Sequence, residues 1–291
     1  MNDPLRASAP GKINLCLRVG ETRDDGLHEL VSAVQAVSLA DELTLAPGSG
    51  ERDEVLCPEV EGDNLAARAL ADYREASGWD APPQCLTIVK RVPIAGGMGG
   101  GSSDAAAALR LAATAAGRPE DPLLERLAPG LGADVPALLS PGLRLVTGAG
   151  EQVRPLPELE RFWIVGVAQR ASLSTADVFA ETDRLGLSRD ADALADAARE
   201  LERAFGAGGP LPLEVLGNDL EPAARSLCPA IDDALEALRG AGAEAAMVSG
   251  SGPTTFGVFR TWEDRVAGAA ADLALDARFA DAFVAYSVAQ A

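Results

Sequence analysis

The segment Pro93-Ile94-Ala95-Gly96-Gly97-Met98-Gly99-Gly100-Gly101-Ser102-Ser103-Asp104 decides the reading of this chain. Five glycines occupy the six positions Gly96 to Gly101. A strand-like run, Cys85 to Val92, precedes them, and an alanine-rich run with helical spacing, Ser103 to Ala116, follows and stops at Gly117. Glycine admits positive φ and lets backbone approach a ligand closely. Successive N–H groups in such a turn form a concavity for anions, and the helix behind it adds its positive end. The segment therefore predicts a phosphate-binding loop. It lacks the Gly-Lys-Ser/Thr ending of a Walker loop, and Arg118-Pro119-Glu120 is a poor match for the acidic residue of a dinucleotide fold. A flexible linker is the plain alternative, but linkers are not normally wedged between a strand and a strong helix.

Working outward, the N-terminal half reads as strands Ile13 to Val19, Leu27 to Leu39 and Asp41 to Ala46, with a turn at Asp24-Asp25-Gly26. A helix spans Asp63 to Ser77, with Asp63 as its N-cap and Gly78 as its stop. A short helix is expected at Leu123 to Leu127, a turn over Gly130 to Asp134, and a hairpin from Leu143 to Thr147 and Gln152 to Leu156. The proline-bearing stretch Pro155 to Glu160 marks a domain boundary, giving domains 1–157 and 158–291. Beyond it come strand Phe162 to Ala168, helical segments from Thr175 to Phe205, helices Glu221 to Leu227 and Ala230 to Arg239, and strands Ala245 to Ser249 and Thr254 to Phe259. Helix Trp262 to Leu275 and strand Ala282 to Val288 complete the chain. With the extra helices set aside this is β-α-β-β-α-β, the split ferredoxin-like order.

Composition narrows the function. The 291 residues are 47% apolar and carry a net charge of −19, which opposes a polyanionic partner and argues against nucleic acid. Any anion site must then be built locally from backbone N–H groups and a few cations. No apolar run of eighteen residues occurs, Met1 to Pro10 lacks the blocks of a signal peptide, and Cys16, Cys57, Cys85 and Cys228 are scattered. A reduced, cytoplasmic protein is the expectation. Of 25 basic residues only Lys12 and Lys90 are lysines, and His28 is the sole histidine. Lys12 opens the first long strand. Asp134 sits in Gly132-Ala133-Asp134-Val135-Pro136, where it is either an N-cap or a working carboxylate. Paired, an ammonium and a carboxylate suit phosphoryl transfer, the acid orienting a hydroxyl proton and the cation offsetting charge. His28 is either structural or a hydrogen-bonding group for a ligand base.

These motifs in this order, Ala9-Pro10-Gly11-Lys12-Ile13-Asn14, Pro93 through Ala105, and Val248-Ser249-Gly250-Ser251-Gly252-Pro253, resemble those of the GHMP kinase superfamily over nearly the whole chain. Asp25-Gly26-Leu27-His28-Glu29-Leu30, Asp41-Glu42-Leu43 and Gly132 to Pro136 are most similar to the branch that phosphorylates a cytidine diphosphate-linked methylerythritol in non-mevalonate isoprenoid synthesis. The resemblance implies an α+β fold of two domains, the first like domain 2 of ribosomal protein S5 and the second ferredoxin-like. It implies ATP with Mg²⁺, the phosphates over Gly96, Gly97, Met98, Gly99, Gly100, Gly101, Ser102 and Ser103, and adenine near Asn64, Leu65, Lys90 and Ile94. Lys12 and Asp134 match the family's catalytic pair. Asn14, His28, Thr175 and Phe179 match positions holding the substrate, Phe179 by stacking on cytosine. The implied partner is a small molecule rather than nucleic acid or membrane, and the implied state a monomer or weak homodimer. Another small alcohol is the alternative substrate, and a non-catalytic nucleotide binder the alternative class. One departure stands out: the family usually has tyrosine before the histidine, where this chain has Leu27. Leucine is expected to keep the burial and lose the ring stacking, ~0.5–1.5 kcal/mol. Asp104 reads as a first-turn helix acid.

Overall fold

The computed structural model describes residues 3–60, 62–169, 171–260, 263–274, 276–279 and 281–289. In chain order the elements are β1 (Leu5–Thr22), β2 (His28–Pro47), β3 (Glu54–Leu56), α1 (Leu65–Ser77), β4 (Gln84–Val89), α2 (Gly100–Ala115), α3 (Leu123–Leu131) and α4 (Val135–Leu138). Then follow β5 (Leu143–Gly148), β6 (Gln152–Pro155), β7 (Trp163–Val167), α5 (Thr175–Arg184), α6 (Ala191–Phe205), β8 (Gly217–Asn218), α7 (Glu221–Leu227) and α8 (Ala230–Gly240). The last are β9 (Ala245–Val248), β10 (Thr255–Phe259), α9 (Glu263–Ala274) and β11 (Ala282–Tyr286). The ends of the expected last helix, Trp262 and Leu275, lie outside the described residues.

Two compact units emerge, and they interleave along the chain. One comprises Met1–Gly11, Leu39–Ile94 and Gly99–Ser140; the other Lys12–Ser38, Ala95–Met98 and Pro141–Ala291. In the first, β2 pairs antiparallel with β4 through Glu42–Pro47, and β3 runs parallel to β4. Helices α1 and α2 enclose a core of Leu70, Tyr73, Leu86, Ile88, Leu109 and Leu131. The buried run Ala105 to Ala108 supplies helix propensity and small side chains at once. In the second unit, β2 pairs with β5 through Leu30–Gln35, and β5 with β6. Its other sheet has the order β11-β7-β10-β9, every pairing antiparallel. The expected β-α-β-β-α-β order is therefore present, with the first and last strands adjacent.

Several boundaries differ from expectation for identifiable reasons. The first strand, expected over Ile13 to Val19, extends from Leu5 through Pro10 and Gly11 to Thr22. The break expected at Asp41 is absent. Asp41 is fully buried inside β2, and its carboxylate accepts the N–H groups of Arg91 (2.5 Å) and Val92 (2.8 Å), so the polar residue in the strand is hydrogen-bonded. Helix α1 is capped by Asn64 rather than Asp63, the Asn64 Oδ1 accepting from Ala66 N at 2.9 Å. Helix α2 starts at Gly100, three residues before Ser103, and α3 continues through Pro129 to Leu131.

Candidate functional site

The glycine segment enters α2 through left-handed backbone at Ala95 (φ 54), Gly97 (φ 75) and Gly99 (φ 67). At Gly97 the requirement for glycine is steric as well. A β-carbon there would lie 2.2 Å from the Ser249 carbonyl oxygen. The approach is fixed by hydrogen bonds: Ser249 Oγ donates to Gly97 O (3.0 Å), and Thr254 N donates to Gly96 O (3.3 Å). The third motif, Val248 to Pro253, thus serves as a brace for the first half of the glycine turn. It is itself held by Asn218, whose Nδ2 donates to Val248 O (2.9 Å) and Gly250 O (2.7 Å). Gly250 (φ 57) allows a second close approach, since a β-carbon there would lie 3.3 Å from Lys12 Nζ and 3.1 Å from Gly97 O.

Lys12 belongs to the same cluster. Its N–H donates to Met98 O (2.9 Å), and its buried Nζ donates to Asn14 Oδ1 (2.8 Å). Asn14 Nδ2 donates to Ser32 Oγ (2.7 Å), which donates to Cys16 O (2.7 Å). The relay fixes the Lys12 ammonium from the β1–β2 side, with Asn14 as its acceptor. Met98 is buried, so its contribution to this region is its carbonyl.

The start of α2 differs from the expected one in a way that changes which groups face a ligand. Ser103 is buried, its N–H donates to Gly99 O (2.8 Å), and its hydroxyl donates to Pro10 O (2.8 Å). Both donors are spent internally. The N–H groups lacking intrahelical acceptors are those of Gly100, Gly101 and Ser102.

Lys90 is clamped. Its ammonium, with the side chain 6% exposed, donates to Asp41 Oδ2 (2.5 Å) and Asp104 Oδ2 (2.6 Å). Burial pulls its pKa down, but the two carboxylates outweigh that and the net shift is upward. Two of its three protons are committed, so its charge holds β2, β4 and α2 together in the first unit. Asp104 is accordingly no exposed first-turn acid; it is buried one turn in, and its Oδ1 has no partner. Burial drives its pKa up to about 7, against the lowering effect of Lys90 and with help from the Asp41 charge. Asn64 acts as the α1 cap, Leu65 packs against the core of the first unit, and Ile94 is exposed.

Asp134 stands at the N-cap position of α4 with αR backbone, but its side chain makes no cap bond, which removes the capping alternative. Arg110 secures the other end of that short helix, donating to Leu138 O (2.9 Å) and Leu139 O (3.1 Å).

A second cluster forms around His28. Its ring lies 4.8 Å from the Phe179 ring with 32° between planes, so one face of Phe179 is already covered by imidazole. His28 Nε2 is 2.8 Å from Asp183 Oδ1 and 3.1 Å from Thr22 Oγ1. Thr175 Oγ1 lies 3.0 Å from Ser251 Oγ in the bracing turn. Thr175, Phe179 and Asp183 recur at intervals of four along α5, one stripe of that helix. The expectation named the first two and missed the third, although the same spacing extends to it. Leu27 is 55% exposed rather than buried as expected. No helix among the described residues is long and apolar enough to cross a membrane, and none of their His, Cys, Asp and Glu side chains gather in a metal-holding group of three.

Comparison with known proteins places this architecture. Residues 64–142 match the model of the GHMP kinases N terminal domain, and residues 187–280 that of the GHMP kinases C terminal region. A 4-diphosphocytidyl-2-C-methyl-D-erythritol kinase of Streptomyces coelicolor is 46% identical over 258 residues, covering 84% of each chain. The chain belongs to the GHMP kinase family. Another relative of this GHMP kinase, from Thermobifida fusca and of the same name, is 44% identical over 276 residues, covering 87% of each chain. The crystal structure of a 4-(cytidine 5'-diphospho)-2C-methyl-D-erythritol kinase superposes with a TM-score of 0.78 at 31% identity, over 97% of this chain and 99% of that one. A homoserine kinase from Cytophaga hutchinsonii, 20% identical with a TM-score of 0.71, covers 100% of this chain and 96% of that one and shares the fold.

Proposed function

We propose that this GHMP kinase transfers the γ-phosphoryl group of ATP to the 2-hydroxyl of 4-diphosphocytidyl-2-C-methyl-D-erythritol. What carries the reading is the braced glycine turn opening α2, in a chain this similar to curated kinases named for that substrate. The phosphate chain lies over residues 96–103, received by the N–H groups of Gly100, Gly101 and Ser102 at the positive end of α2. Adenine lies toward Asn64, Leu65, Lys90 and Ile94. Asp134 takes the proton of the attacking hydroxyl, and Lys12 offsets charge developing on the transferred group. Asn14, His28, Thr175 and Phe179 hold the cytidine and erythritol parts. Mg²⁺ enters with the nucleotide. The Ser102 hydroxyl would be the protein's contact to that ion, which would supply positive charge to the phosphate chain during transfer. Residues 1–157 form the nucleotide-binding domain and 158–291 the ferredoxin-like one. The enzyme works in the cytoplasm as a monomer or weak homodimer.

The departure at Leu27 favours a second reading, a kinase acting on another small alcohol. Substrate-dependent ADP release, measured across cytidylated and non-cytidylated alcohols, separates the two; preference for a free sugar or mevalonate rejects the first. Asp134→Ala tests the chemistry. Loss of roughly 10²–10⁴-fold in turnover is expected for an acid–base group, and turnover within about threefold of the parent rejects the assignment.

A further inference from the structure

We infer that Asp183 is a positioning residue that fixes the His28 ring in one tautomer, leaving Nδ1 as an acceptor for the 4-amino group of a cytosine base. The inference rests on the cytidylated-substrate reading above. It begins with a hydrogen bond whose direction is not free. An ionised carboxylate has only lone pairs, so the 2.8 Å contact between His28 Nε2 and Asp183 Oδ1 requires the proton on Nε2. The Thr22 hydroxyl, 3.1 Å from the same nitrogen, accepts a share of that proton. In a neutral imidazole the other nitrogen then carries a lone pair.

The ring is also fixed in orientation. The Phe179 ring covers one face at 4.8 Å, and the His28 side chain is 9% exposed. Asp183 is itself steadied by Ser188 Oγ at 3.2 Å and follows Phe179 by one helical turn, so the two contacts on His28 come from one rigid element. An acceptor at Nδ1 pairs with an exocyclic amino group. It sets lone pair against lone pair with the 4-carbonyl of uracil. The pair His28 and Asp183 is thus a base selector, with the histidine touching the ligand and the aspartate acting through it.

His28 is the sole histidine, so its ring nitrogens give one unambiguous signal set in ¹⁵N-labelled full-length protein. The parent is expected to show a protonated Nε2 and an unprotonated Nδ1. In Asp183→Asn the amide can also donate to Nε2, so the bias is expected to relax. Titration calorimetry with CDP and with UDP supplies the functional arm. The parent is expected to bind CDP ~10-fold tighter than UDP, as one lost hydrogen bond implies, and Asp183→Asn to narrow that ratio to within about threefold. The KM for ATP should not change. A parent ring protonated on Nδ1 overturns the proposal without any variant, as does a variant that keeps both tautomer and CDP preference. A parent that binds CDP and UDP alike overturns the selection. If that parent also fails to phosphorylate the cytidylated alcohol, the functional reading itself is at fault.

Discussion

Replacing Asp104 by asparagine removes a buried acid while keeping its shape, and the structure sets the sign of the result. Burial raises the Asp104 carboxyl from its ordinary 3.8 to about 7. The Lys90 ammonium at 2.6 Å opposes that rise, and the neighbouring Asp41 charge adds to it. In the unfolded chain the group ionises near its ordinary value. A carboxyl that holds its proton more tightly in the fold contributes stability that is fully present below the unfolded pKa and lost as pH rises through about 7. The gap of about three pH units corresponds to about 4 kcal/mol. Asparagine cannot ionise and has no such dependence. Urea unfolding of parent and variant, at steps from about pH 4 to pH 8.5, isolates the response of the Asp41–Lys90–Asp104 cluster, because titrating groups remote from it cancel in the difference. Variant-minus-parent stability should climb by up to about 4 kcal/mol across that window and level off above it. A flat difference would refute the reasoning. A difference that falls with pH would show instead that Asp104 is an ionised partner of Lys90, held below the ordinary carboxylate range.

Two further substitutions probe neighbouring groups. Lys90→Met removes the ammonium and strands Asp41 and Asp104 in the interior; a loss of about 3–5 kcal/mol in unfolding free energy at neutral pH is expected, and a loss under about 1 kcal/mol would show that the clamp does not hold the first unit together. Leu27→Tyr places an aromatic ring at the exposed position beside His28. It should lower the KM for the cytidylated substrate by the equivalent of ~0.5–1.5 kcal/mol while leaving the KM for ATP unchanged, and steady-state kinetics with each substrate varied in turn will decide.

What was legible in the sequence follows from how local each cause is. The glycine segment, the alanine helix behind it and the β-α-β-β-α-β order of the second half are written in neighbouring residues, through backbone freedom, propensity and periodicity. They could be read directly. The brace on Gly97 could not, because it depends on Ser249, 152 positions away in the chain. The same holds for Lys90. A scarce lysine beside the loop looked like a ligand contact, and only the fold reveals that two distant acids, at positions 41 and 104, take up its charge. Asp41 misled in a second way: a polar residue in an apolar alternation signals a strand end unless something buried requires it there.

Asp183 marks the boundary between these two kinds of information. Its spacing from Thr175 and Phe179 was visible, since residues four apart share a helix face. Its partner was not, because His28 lies 155 positions earlier and the pairing exists only once α5 packs beside the start of β2. Periodicity can therefore nominate a face of a helix as functional, but it cannot say which member of the stripe touches ligand and which acts through a neighbour. That distinction comes from hydrogen-bond direction. A carboxylate can only accept, so contact with Nε2 requires a proton there and leaves Nδ1 as the ring atom that can face a base.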